Sequence, residues 1–420
     1  MSRLVRRQVP RPKELLEFIR LKKPALDQQA ARVAAAQSID DLRRLARRRA
    51  PRAVFDYTDG SADREISLNR ARRAFEDVEF HPQILTDVSK LDTTTTVLGG
   101  ESALPFGIAP TGFTRLMHTE GEYAGVTAAQ AAGIPFCLST LGTASPEEVA
   151  ATAPAVRRWF QLYVMKEREV SYALAERAYK AGFDTLLFTV DTPVAGNRTR
   201  DARNGFSIPP QLTMRTVVDA ALRPRWWMDL VTTPQLQFAS LTSTGGTVGE
   251  LLDKAMDPTI DLDDLEEIRG RWPGKIVVKG VQTLEDAKQL ADLGVDGIWL
   301  SNHGGRQLDQ APVPFHLLPS VAEAVGDEAE IFVDTGIMHG SDIVASLALG
   351  ADFAFVGRAY LYGLMAGGQK GVERAIEILA GEVRRTMRLL QVSSVDELTP
   401  EHVTQLRSLR PVDRPGELSS

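Results

Sequence analysis

The chain has 420 residues, 43% of them hydrophobic and 25% charged, with a formal net charge of −6. This composition describes a globular protein with a sizeable core, and no apolar run approaches the roughly 18 residues of a membrane helix. A lone cysteine, Cys137, excludes an intramolecular disulfide and a thiolate metal cluster, and no apolar signal core follows the Arg-rich start, so a cytoplasmic protein is expected.

Residues 1–103 read as mainly helical, with IDDLRRLARRRA near residue 45 and SLNRARRAF near residue 70. They are expected to pack against or plug the body that follows rather than form a separate enzyme. The first 54 residues hold 15 Lys/Arg against five Asp/Glu, so this part carries +10 and the remainder −16. The cluster Arg43, Arg44, Arg47, Arg48 and Arg49 suits nucleic acid or anionic lipid. It suits better a solvated helix face or one packed on the acidic body, and no nucleic-acid partner is expected.

From residue 104 the pattern changes to apolar runs followed by polar turns and Ala-rich helical stretches. The runs are LPFGIAP (104–110), IPFCLST (134–140), WFQLYV (159–164), TLLFTVD (185–191), KIVVKG (275–280), GIWLSN (297–302), EIFVDTG (330–336) and FAFVGR (353–358). Eight strands alternating with helices predict a (β/α)8 barrel over residues 104–380, followed by a helical segment and tail over 381–420. A doubly wound sheet is the alternative, but no strand leads into GxGxxG. The gap 192–274 after strand four is too long for an ordinary loop and reads as an insertion. It holds RPRWWMDL (223–230) and LQFAS (236–240), which suit an interfacial anchor, a buried loop core or an oligomer contact.

Chemistry-bearing residues gather at the expected strand ends, where barrel enzymes keep their active sites. The sixth run opens into SNHGGRQLDQAP (301–312), with His303 as a candidate base, Arg306 three residues on, and Asp309 close behind. The fourth run ends in Asp191, a carboxylate able to orient an imidazole and stabilise its protonated form. Arg306 with Arg198 or Arg200 can hold a carboxylate through paired charge-assisted hydrogen bonds. Lys279 ends the fifth run, and an amine there needs an anion, either a reduced cofactor or a phosphate. The glycines of DTG (334–336) and VGR (356–358), with Arg358, form the usual phosphate cradle of a barrel.

FDYTDGSA (55–62), APTG (109–112), LST (138–140), FQLYV (160–164), TVDTPVAGNRTRD (189–201), VVKG, SNHGGRQLD and VGRAY follow one another over about residues 40–410. In this order and spacing the chain resembles the FMN-dependent 2-hydroxy-acid dehydrogenases and oxidases, and among them the bacterial L-lactate dehydrogenases. The resemblance implies that Pro110, Thr111, Gly112, Ser139, Gln161, Thr189, Lys279 and Ser301 line a flavin. It puts Asp334, Thr335, Gly336, Gly357 and Arg358 around the flavin phosphate. It assigns the substrate carboxylate and hydroxyl to Tyr57, Tyr163, Arg198 and Arg306, and the role of base to His303 paired with Asp191. Lys279 would stabilise the reduced ring, and a homotetramer is usual.

Two positions depart from the family pattern. Met338 stands where an arginine often reaches the FMN phosphate, with His339 next to it. Leu141 replaces a tryptophan that walls the substrate in glycolate oxidase, which leaves room for a side chain beyond glycolate. The resemblance thus implies oxidation of an (S)-2-hydroxy acid, foremost L-lactate to pyruvate, with electrons passing to a quinone or another acceptor. An oxidase using oxygen, a choice on which Gly112 bears, or a dehydrogenase for a larger acid such as mandelate are the alternatives. Whether His303 takes the hydroxyl proton or the α-proton stays open. A phosphate-handling isomerase barrel is the rival from another class, and it leaves the His, Arg and Lys set unexplained. Contact with the inner face of the cell membrane is a further expectation.

Overall fold

A computed structural model describes residues 27–205, 218–219, 221–234, 236, 238–239 and 257–407. Much of the insertion, including two residues of LQFAS, and the tail beyond 407 lie outside the described residues. Each of the eight apolar runs forms a strand: β1 (Phe106–Thr111), β2 (Phe136–Ser139), β3 (Arg158–Leu162), β4 (Thr185–Thr189), β5 (Lys275–Val281), β6 (Gly297–Leu300), β7 (Glu330–Val333) and β8 (Phe353–Val356). They close into a parallel barrel in chain order, with β8 pairing back onto β1. Strands buried on both faces need apolar residues at successive positions, which is why these segments read as unbroken runs.

Large rings fill the barrel interior. Trp299 stacks on Phe355 with centroids 3.9 Å apart, and Trp159 lies 5.2 Å from the same ring. A two-stranded ribbon, Thr95–Val97 with Gly100–Ser102, closes the N-terminal mouth, and its Val97 and Leu98 join this interior cluster. Glu330 at the start of β7 accepts the Leu98 N–H at 2.8 and 2.9 Å, while Arg157 donates to the Val97 and Leu98 carbonyls. Among the described residues, the ribbon thus covers the N-terminal mouth and leaves the C-terminal mouth open.

Four helices precede the barrel: Gln28–Ala35, Ile39–Arg49, Arg52–Asp59 and Ile66–Glu76. Ser38 starts the second with a capping box closed by Asp41, and Ile39, Leu42 and Ala46 bury one face against the long helix Arg358–Leu390. The arginine cluster is largely occupied within the protein: Arg43 binds Asp59, Arg44 binds Asp41 and Arg49 binds Asp229, while Arg47 and Arg48 face solvent. Asp59 is a hub, accepting from Arg43 at 2.6 Å, Arg200 at 3.0 Å and the Tyr362 hydroxyl at 2.8 Å. These bonds hold the extension over the C-terminal mouth.

The helical reading of residues 1–103 is corrected beyond residue 76. The chain there runs as turns and short strands, and Val78–Phe80 pairs antiparallel with Val403–Gln405. Both flanks of the barrel therefore meet in one ribbon, a long-range pairing that local periodicity does not encode. The last long helix likewise ends at Leu390 and gives way to short turns before that strand. Within the insertion, the helix Pro224–Val231 lies on the loop after β1. Trp226 Nε1 donates to the Leu116 carbonyl at 2.9 Å and Arg115 donates to the Pro234 carbonyl at 3.0 Å. Further along, Phe238 meets Phe113 edge-on at 4.7 Å, and Ala239 N–H donates to the Gly142 carbonyl at 3.1 Å.

Candidate active site

The C-terminal mouth holds a cavity of about 1090 Å³, walled by the strand-end loops and the helices of the extension. His303 enters it from a turn three residues past β6. His303, Gly304 and Gly305 all take positive φ (57°, 64° and 74°), a run of left-handed backbone that turns the chain sharply at the strand end. Asn302 braces the turn by accepting from Gly305 N–H at 2.9 Å and donating to the Pro312 carbonyl at 3.0 Å. Asp309 ties the same loop to the extension through the Ser67 and Arg64 N–H groups, at 2.8 and 3.2 Å.

His303 Nδ1 lies 3.1 Å from Asp191 Oδ1, so the expected pair forms. Asp191 sits two residues beyond β4 with its side chain wholly buried. Burial alone would push this carboxyl up, but the charge and hydrogen bond of His303, with Lys279 adding, outweigh it and hold Asp191 below the usual carboxylate range. Gly280 makes the room. Its φ is +105°, and a Cβ there would come within 2.7 Å of the Asp191 side chain. The register between β5 and β6 shifts at this residue, so Lys279 lies inside a bulged strand that continues to Val281 rather than at its end.

Arg306 and Arg198 converge on Tyr57, their guanidinium carbons 4.8 and 5.7 Å from its ring centre. Arg306 is half-buried and pinned to the Tyr57 and Gly60 carbonyls; desolvation first, then repulsion from Arg198, pushes its pKa down to about 10. Arg200 turns away and bonds Asp59 and Glu65, so of the two candidates only Arg198 joins Arg306. The acid nearest this pair is Asp201, 4.0 Å from Arg198, its own pKa raised by burial. Tyr163 also lines the cavity, and burial raises its hydroxyl pKa.

Lys279 is buried, donating to Ser301 Oγ at 3.0 Å with Asp334 Oδ2 at 3.4 Å. Pro110, Thr111, Gly112 and Ser139 share its cavity wall. Gln161, Thr189 and Ser301 stand one layer behind it, where Gln161 accepts from Ser139 Oγ and donates to Thr189 Oγ1, both at 3.0 Å. Asp334 thus neighbours the lysine, while Thr335, Gly336, Gly357 and Arg358 also line the cavity. Arg358 is held there by the Thr58, Gly304 and Gly60 carbonyls at 2.8–2.9 Å. Gly280, Asn302 and Asp201 were absent from the sequence-derived set. All three lie inside motifs quoted for other residues, VVKG, SNHGGRQLD and TVDTPVAGNRTRD.

The FMN-dependent dehydrogenase family model matches residues 46–405, which takes in every strand of the barrel and the later helices of the extension. The chain belongs to this family. A Mycobacterium tuberculosis protein provisionally named L-lactate dehydrogenase is 60% identical over 411 residues, covering 98% of this chain and 99% of the relative. L-lactate dehydrogenase of Caulobacter vibrioides is 42% identical across 85% of this chain and 95% of its own length. Among solved structures, the monotopic membrane protein (S)-mandelate dehydrogenase superposes with a TM-score of 0.85 at 36% identity, over 88% of this chain and 99% of that one.

As an FMN-dependent dehydrogenase, the protein oxidises 2-hydroxy acids with FMN as its cofactor. The residues present fit that group. The cavity is at the upper end of the range for small-molecule sites, enough for a flavin and a small acid together. A Cβ on Gly357 would meet no atom within 4 Å, so the strand end opens directly into space there. Lys279 offers a buried ammonium to this space and Arg358 a guanidinium.

Proposed function

We propose that this enzyme oxidises L-lactate to pyruvate. The carrying observation is the half-buried pair Arg198 and Arg306, set around Tyr57 in the same cavity as the His303–Asp191 dyad. Two guanidinium groups that repel one another inside a protein call for an anion between them, and a substrate carboxylate supplies it through paired hydrogen bonds. Tyr57 and Tyr163 place hydroxyls for the substrate oxygens. With Nδ1 engaged by Asp191, His303 takes the substrate proton at Nε2, and the buried carboxylate stabilises the imidazolium.

FMN, when bound, accepts the two electrons released at the substrate α-carbon. Pro110, Thr111, Gly112 and Ser139 form the wall for its ring, Lys279 the cation beside it, and Thr335, Gly336, Gly357 and Arg358 the phosphate end. Gln161, Thr189 and Ser301 act from behind by fixing the groups of that wall, and Asp334 balances Lys279. Leu141 on the cavity wall supports a substrate larger than glycolate. It also favours the second reading, a larger acid such as (S)-mandelate, the substrate in the name of the structural relative.

A quinone at the membrane is the proposed electron acceptor, with the enzyme working as a homotetramer at the cytoplasmic face. Leu222, Trp227, Met228 and Val231 are exposed on and beside the insertion helix, with Arg225 among them, which supports peripheral attachment. No helix among the described residues is long and apolar enough to cross a membrane. The deciding experiment is an anaerobic visible spectrum before and after L-lactate. Bleaching of the flavin bands is expected; a flavin that bleaches only with mandelate would replace lactate, and one that responds to neither would sink the substrate assignment.

A further inference from the structure

The loop after β7 reads DTGIMHG, so the residue at the position where the resemblance expects a phosphate-binding arginine, Met338, is uncharged. The remaining cations at that end of the cavity are few. Arg358 is committed to three backbone carbonyls, and His339 faces Glu382 at 3.6 Å. Arg72 reaches the loop from the other side, from the helix Ile66–Glu76, and lines the same cavity. Its Nη1 donates to the Gly336 carbonyl and, at 2.7 Å, to Asp342 Oδ2. Asp342 in turn accepts the Met338 and His339 N–H groups at 2.8 and 3.0 Å. Nε and Nη2 of Arg72 make no hydrogen bond among the described residues.

One corner of the guanidinium is thus fixed to the loop, and the Nε–Nη2 edge is left over. That edge is the planar fork that grips two oxygens of a phosphate. We propose that Arg72 of the N-terminal extension supplies the cation for the FMN phosphate that the barrel loop lacks. The proposal rests on the cofactor placement given above. It makes the extension part of the cofactor site as well as its cover, and the ligand group is a phosphate monoester dianion.

The test compares FMN with riboflavin, which lacks the phosphate, by the fluorescence of flavin released on dilution of the full-length holoenzyme. Arg72→Met is expected to weaken FMN about 10- to 100-fold, the effect of one charge-assisted contact, and to leave riboflavin unaffected. Arg72→Lys should fall between the two, since an ammonium keeps the charge without the fork. Adding Met338→Arg to Arg72→Met should restore most of the FMN affinity. Unchanged FMN binding would overturn the proposal, as would an equal loss for both flavins, which would mark Arg72 as a prop for the Gly336 loop. A wild type that holds riboflavin as tightly as FMN would overturn both the proposal and the placement of the phosphate at this end.

Discussion

Asp191 shows how much a single side chain does at this site. It orients His303 through Nδ1, remains ionised because His303 and Lys279 favour its charge, and owes its place to the missing Cβ of Gly280. Asp191→Asn keeps the volume but removes the charge that stabilises a protonated imidazole. The rate of flavin reduction should then fall by about 10²- to 10⁴-fold with FMN still bound, as stopped-flow absorbance would report. A near-normal rate would remove the dyad from the chemistry. The arginine pair, on the proposed placement of the substrate, works by a related principle: Arg306 is destabilised in its charged form before substrate arrives, so a carboxylate would be drawn into a site already short of negative charge.

Among elements, the insertion helix Pro224–Val231 has the most distinct chemistry. Trp226 points inward onto Leu116, while Trp227, Met228 and Val231 face out. Replacing Trp227 and Met228 with serine should reduce co-sedimentation with anionic lipid vesicles and leave lactate-dependent bleaching intact; unchanged sedimentation would refute the docking face. How far such elements are legible in sequence depends on what shapes them. The barrel strands could be read because burial on both faces forces unbroken apolar runs, and His303, Arg306, Asp191 and Lys279 because each lies near or just beyond the end of such a run. The ribbon between Val78–Phe80 and Val403–Gln405 could not, since three-residue strands carry no period and their partner lies more than three hundred residues away. Asp201 and Arg72 were missed for a similar reason. A charged residue beside other charged residues looks like solvated surface until the fold shows which cavity it borders.

For the whole molecule, acid sensitivity has an identifiable source. His118 is half-buried where the helix Gly121–Ala132 approaches the break in the long C-terminal helix. Burial, helped by Arg49, holds its pKa down to about 3. The unfolded chain takes up that proton near pH 6.5 while the native state refuses it, so the associated stability is complete above 6.5 and drains away as pH falls toward 3. Between pH 7 and pH 5 the loss should be about 2 kcal/mol in urea unfolding. His118→Gln should flatten that slope, and an unaltered slope would assign it elsewhere. Buried Glu122 acts in the opposite sense, its raised pKa making it most favourable at low pH. The contacts that fasten the insertion carry a different implication. Trp226, Pro234, Phe238 and Ala239 clasp residues 113–116 and 142, and Phe113 and Leu141 of those loops wall the cavity. A transplant of this segment between relatives would therefore carry its host loops with it or leave them unsupported, so the insertion's exposed face and this part of the cavity wall are inherited as one block.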